Sequence, residues 1–171
     1  MNLLHPDYLF DEEFSKQDRV KRWVVSIPHT GTRFLREVLT TNSNHVGGGW
    51  QKKDNIFQMC HVFSPMRNPT AVWDSWMKRL GSGGRSLKQF NLCWEDLGRL
   101  DRCYPVHFIH LDLPDRDNEL GAASELLGES LTANWASMVG HAPTRVWDGP
   151  VPVKPDWEMI YRLPMIRGFY Q

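Results

Sequence analysis

Three features of the 171-residue sequence predict an α/β fold, a three-layer α/β/α sandwich built on a mainly parallel central sheet. Short apolar runs occur at residues 22–27 (RWVVSI), 60–67 (CHVFSPMR) and 104–111 (YPVHFIHL). Each is followed by a segment whose apolar residues recur every three or four positions, and turn-forming residues separate the two. Strands that alternate with amphipathic helices lie parallel, with right-handed crossovers that place helices on both faces.

The first run leads through a loop to a helix over about 31–40, with Phe34, Leu35, Val38 and Leu39 on one face. After the second run, Asn68 and Pro69 supply an N-cap and a favoured first helical residue. The helix they open carries Val72, Trp76 and Leu80 and stops at the glycines of residues 81–84. Leu87, Phe90, Trp94 and Leu97 then predict a second helix over 86–100. The third run precedes a helix over 118–127, with Leu120, Ala123 and Leu127 on one side. Beyond Gly128 the prolines at 143, 150, 152 and 155 prevent long elements, leaving loops and a short helix at 156–162. The expected organisation is a single domain over 1–171, with its core at about 22–128 and an irregular region at 129–171.

Composition narrows the function classes. Hydrophobic residues make up 41% and charged residues 23%, in the range of globular chains and away from disordered ones. Lysine plus arginine equals aspartate plus glutamate at 20 each, so no broad basic field is available for nucleic acid and any anion site is local. No run is long enough to span a membrane, and the first residues lack the charged start and apolar stretch of a secretory signal. Cys60, Cys93 and Cys103 form no CxxC pair, which argues against a disulfide framework or structural zinc and fits a reducing cytoplasm. No metal is expected. The eight tryptophans are read as core residues by default; Trp147, Trp157 and Tyr161 could line a substrate cleft but are read as anchors of the proline-rich tail.

In a parallel sheet ligands bind beyond the carboxyl ends of the strands, which directs attention to the loops after the first and second runs. The first loop, Pro28, His29, Thr30, Gly31, Thr32, Arg33, Phe34, follows a strand and opens a helix. Gly31 permits close backbone approach, and the threonine hydroxyls lie beside unpaired helix N–H groups, the makings of an anion cradle. With one glycine and no lysine the loop is not a Walker A motif, which disfavours an ordinary ATPase or GTPase, and it lacks the Lys-Ser/Thr pair that an ATP-dependent phosphotransferase needs. In the second loop Arg67 leaves a strand end with a planar fork, and Ser75 lies two turns into the following helix, where its hydroxyl can share the same phosphate.

These two segments resemble the nucleotide-binding motifs of the sulfotransferase family, a P-loop-like fold. PHTGTRFL is similar to the family's 5′-phosphosulfate loop P-K-x-G-T-T-W-L, with His29 in the place of the lysine and Phe34 in that of the adenine-stacking aromatic residue. SPMRNPTAVWDSW resembles the 3′-phosphate motif, in which R-N-P opens a helix and a serine follows eight residues after the arginine. The strand ending at Asp112 and the helix after it resemble a further family segment, and Arg167-Gly168 matches the end of its R-K-G triplet. The likeness covers about residues 22–128.

The resemblance implies binding of 3′-phosphoadenosine 5′-phosphosulfate (PAPS) and transfer of its sulfuryl group to a hydroxyl or amine of a small-molecule, carbohydrate or lipid acceptor. The implied nucleotide ligands are Pro28, His29, Thr30, Gly31, Thr32, Arg33, Phe34, Arg67, Ser75, Arg167 and Gly168. His29, as imidazolium, or Arg33 would neutralise the leaving oxygen in place of the lysine. For the base that takes the acceptor's proton, His45 ranks first, among glycines in NSNHVGGGW, followed by His61 and then Glu37. The alternative is a binding module that kept the phosphate sites and lost turnover. Dependence on a 3′-phosphate marks both readings, and turnover separates them.

Overall fold

The computed structural model describes residues 22–47, 57, 60–80, 84–138 and 154–171. In chain order the elements are β1 (Arg22–Ser26), α1 (Thr32–Leu39), β2 (Ser43–His45), β3 (His61–Met66), α2 (Pro69–Leu80), α3 (Gly84–Cys103), β4 (Val106–His110), α4 (Arg116–Leu127) and α5 (Trp157–Arg162). A 3-10 turn at Trp135–Ser137 follows α4. The four strands form one sheet in the order β2-β1-β3-β4, and every pairing is parallel.

Helices cover both faces, as the alternation of apolar runs and amphipathic segments requires. On one face Val24, Phe63 and Ile109 meet Leu35 and Leu39 of α1 and Leu120, Ala123 and Leu127 of α4. On the other, Trp23, Val25, Val62 and Met66 share a core with α2, α3 and α5. The aromatic residues of α2 and α3 interlock there, with the Phe90 ring 4.8 Å from Trp73 and 5.3 Å from Trp76. Burying each such ring contributes roughly 1.5–3 kcal/mol, so packing holds these helices. Trp157 joins the cluster against Phe90 at 6.3 Å, which accounts for the anchoring of α5; Trp147 lies outside the described residues.

Three expectations are corrected. β2 stands where the sequence reads as a loop, because its Ser43, Asn44 and His45 carry no apolar pattern. It forms because β1 offers an open edge, and Asn44 is held by the Trp23 indole N–H at 2.8 Å. Leu80, predicted on the buried stripe of α2, is 46% exposed because the stripe is carried by Val72, Trp73 and Trp76. α4 starts at Arg116, ahead of the predicted residue 118, with Asp117 and Glu119 favouring its first turn. Among the described residues no helix is long and apolar enough to cross a membrane.

Candidate functional site

β1 has β2 on one side and β3 on the other, and the helices that follow β1 and β3 pack on opposite faces. The chain therefore diverges at the carboxyl ends of these two strands, opening the crevice where parallel sheets bind ligands. The loop 28–31 fills one side of it. Its course needs a left-handed backbone at two positions, His29 (φ 71°) and Gly31 (φ 104°). The positive φ at Gly31 favours glycine, and a Cβ there would also push aside the end of the Leu111 side chain.

Gly31 is also the N-cap of α1 and offers no side chain to it. The N–H groups of the first helical turn, Thr32 to Phe34, are thus left for an anion, in the direction the helix dipole favours. Thr32 Oγ1 sits 2.5 Å from Ser26 Oγ, a hydroxyl pair beneath the turn. Thr30 departs from expectation: it is buried, and its hydroxyl donates to the Ile27 carbonyl at 2.7 Å. It braces the loop from inside.

The second loop closes on the first. The Arg67 guanidinium donates to the His29 carbonyl at 3.2 Å, and Ser75 Oγ lies 3.0 Å from His29 Nδ1. That Arg67 contact uses one of five guanidinium donors. Asn68 caps α2 by accepting the Thr70 N–H at 3.0 Å, which fixes Ser75 two turns on. His29, Arg67 and Ser75 therefore meet across the crevice, and the His29 ring leans on Trp76 with centroids 5.9 Å apart.

The other candidates are scattered by comparison. Arg33 is exposed and paired with Glu37 at 3.1 Å, a helix-surface ion pair that occupies both groups. The Phe34 ring lies 5.4 Å from Trp135. A base inserted between two rings would part them to about 7 Å, so the pair offers no slot within it, and the Arg116 guanidinium lies over the Trp135 ring, 4.5 Å from its centroid. His45 ends β2 in register with Ser26, at the carboxyl edge. Burial pushes its imidazole down to about 4, so it is neutral at pH 7 and only weakly basic. His61 opens β3 at the opposite edge, roughly 16 Å along the strand from Met66, beside His107. It is removed from the crevice because the first residue of a parallel strand faces away from the ligand side.

The C-terminal segment packs at the carboxyl edge. His110, the last residue of β4, has an acceptor at each ring nitrogen: Glu119 Oε2 at 2.7 Å from Nδ1 and the Met165 carbonyl at 2.9 Å from Nε2. Burial alone would lower its pKa, but the Glu119 hydrogen bond, the Met165 carbonyl and the charges of Glu119 and Asp112 together raise it. Two acceptors call for two ring protons, the imidazolium. Phe169 stacks on that ring at 4.0 Å. Arg167 and Gly168 (φ 87°) form the exposed turn between Met165 and Phe169. The Tyr170 hydroxyl reaches Asp112, whose other oxygen accepts the Asn68 N–H. The part played by Tyr170 and Trp135 carries no sequence signal, because both lie in the irregular region after Gly128 and outside its one predicted helix.

The fold and this crevice define a parallel α/β protein with an anion-receptive loop at its strand-order reversal. No protein-family profile matches the chain, and no curated protein matches it. Among solved structures it is similar to mouse sulfotransferase SULT7A1 complexed with PAP, at 13% identity and a TM-score of 0.49, over 83% of this chain and 74% of that one.

Proposed function

We propose that the described core is a single nucleotide-binding domain that takes PAPS, or its product 3′,5′-adenosine bisphosphate, and transfers the sulfuryl group to a hydroxyl or amine acceptor. The observation that carries this reading is the meeting of His29, Arg67 and Ser75 beside the uncapped N-terminus of α1. The N–H groups of Thr32, Arg33 and Phe34 suit the 5′-phosphosulfate, and Arg67 with Ser75 suits the 3′-phosphate. With Arg116 over the Trp135 ring, Phe34 is the ring proposed for the adenine, and Arg167 and Gly168 are a further contact at the carboxyl edge.

In the transfer, the sulfur–oxygen bond to the 5′-phosphate breaks as a bond from sulfur to the acceptor oxygen or nitrogen forms. The protein's work is to hold the two in line and to neutralise the departing oxygen. His29 serves that second role as imidazolium. His45 receives the acceptor's proton; it is unprotonated at neutral pH, and burial makes it a weak base.

Calorimetry with 3′,5′-adenosine bisphosphate, AMP and ATP tests the binding reading. The wild-type chain is expected to prefer the bisphosphate, and Arg67→Ala to lose that preference by about tenfold or more, the loss of a charged hydrogen-bonding partner. Equal binding of AMP and bisphosphate by the wild type would sink the reading. A second reading, a binding module without turnover, is favoured by the inward turn of Thr30 and the weak basicity of His45. Incubation with sulfur-labelled PAPS and mixed acceptors separates the two.

A further inference from the structure

Asp112 lies just past β4, and its two carboxylate oxygens serve distant parts of the chain. Oδ2 accepts the Asn68 N–H at 2.7 Å, and Oδ1 accepts the Tyr170 hydroxyl at 2.5 Å. The Asn68 N–H belongs to the peptide that joins Arg67 to Asn68, so this bond fixes the plane from which the Arg67 side chain departs. Asn68 is held on its other side too: its Oδ1 caps α2 and receives the Tyr161 hydroxyl at 3.4 Å. Asp112 itself is exposed and would rotate into water if left alone. Tyr170, buried to 9% exposure, prevents this, and its segment is in turn secured by His110 through Met165 and Phe169.

We propose that Asp112 is a positioning residue for the 3′-phosphate site, aiming Arg67 through the Asn68 peptide while Tyr170 holds its carboxylate in place. This rests on reading Arg67 as a phosphate ligand. Two donors occupy the carboxylate, which keeps it from competing with a phosphate for the Arg67 fork. A bidentate contact depends on direction, so a small rotation of the 67–68 peptide costs affinity for the 3′-phosphate and leaves the 5′ side unaffected. The C-terminal segment thereby acts on selectivity without touching the ligand.

Asp112→Ala, Asp112→Asn and Tyr170→Phe in the full chain, titrated calorimetrically with 3′,5′-adenosine bisphosphate and with AMP and checked by circular dichroism melts, test the proposal. Asp112→Ala should lower the bisphosphate-to-AMP affinity ratio by about tenfold, and Tyr170→Phe by about threefold, with AMP affinity itself nearly unchanged. Asp112→Asn should retain the ratio, because its amide oxygen accepts the Asn68 N–H while its NH2 donates to the Tyr170 oxygen. If Asp112→Ala does not fold, Tyr170→Phe decides. A folded Asp112→Ala or Tyr170→Phe that loses affinity for both ligands equally, or that keeps the wild-type ratio, overturns the positioning role, as does an Asp112→Asn that loses the ratio as fully as Asp112→Ala. A wild-type chain with no preference for the bisphosphate overturns the underlying reading of Arg67 as well, and so is told apart from failure of this inference alone.

Discussion

His29 combines an uncommon backbone with the centre of the crevice. A side chain in the left-handed region costs about 1–2 kcal/mol, and the loop carries that cost where the lysine of the resembled motif would stand. His29→Gly relieves the strain but gains freedom in the unfolded chain, so stability should change by less than about 1 kcal/mol in thermal melts, while the proposed sulfuryl transfer should be lost. Loss of several kcal/mol would instead make the ring a packing group against Trp76. His29→Lys should keep transfer and extend it to higher pH, since turnover that depends on the imidazolium falls as it titrates. The positions of Gly31 and Arg67 at strand-to-helix junctions, and of Ser75 two turns into α2, were legible in the sequence from their spacing. The inward turn of Thr30 was not, since a hydroxyl's direction depends on a rotamer and on the Ile27 carbonyl beneath it. The remoteness of His61 follows from its being first in its strand, a positional fact that residue type alone does not convey.

The helix ends show the same division between local and tertiary control. α1 closes on Thr40 at φ 50°, with the Thr40 and Thr41 N–H groups returning to Glu37 and Arg36. This is a glycine's place occupied by a β-branched residue, and Thr40 is exposed. Thr40→Gly is expected to raise stability by up to about 1 kcal/mol, read as a shift in the denaturant midpoint with unchanged slope; a fall would mean that the threonine side chain contributes more than its strain costs. α2 and α3 were readable from their aromatic periodicity. β2 was not, because a three-residue polar edge strand owes its existence to β1 and to α3, whose Asp96 accepts the Gly47 N–H at 2.8 Å.

Across the whole molecule, the C-terminal segment is tied to the carboxyl edge by a charged histidine. The folded-state pKa of His110 is raised, so its contribution is fully present below the ordinary histidine range and is lost as pH rises through the raised value. Melting temperature should therefore decline over that window. His110→Gln should flatten the decline and cost about 2 kcal/mol on the acid side, the worth of hydrogen bonds to a charged group; an unchanged pH profile would remove His110 from this role. The opposite edge is fastened by Arg22, which is buried and forms a bidentate pair with Glu129. Finally, the strand order bears on how fast the chain can fold. Among the described residues every pairing in the sheet is parallel, so none of these strands meets its partner through a tight hairpin, and partners such as Val62 and Val106 must close a long stretch of chain before any pairing energy is gained. Assembly of the sheet is therefore expected to be the slow kinetic event, in milliseconds to seconds rather than microseconds, with the central strand β1 as the template on which β2 and β3 are laid.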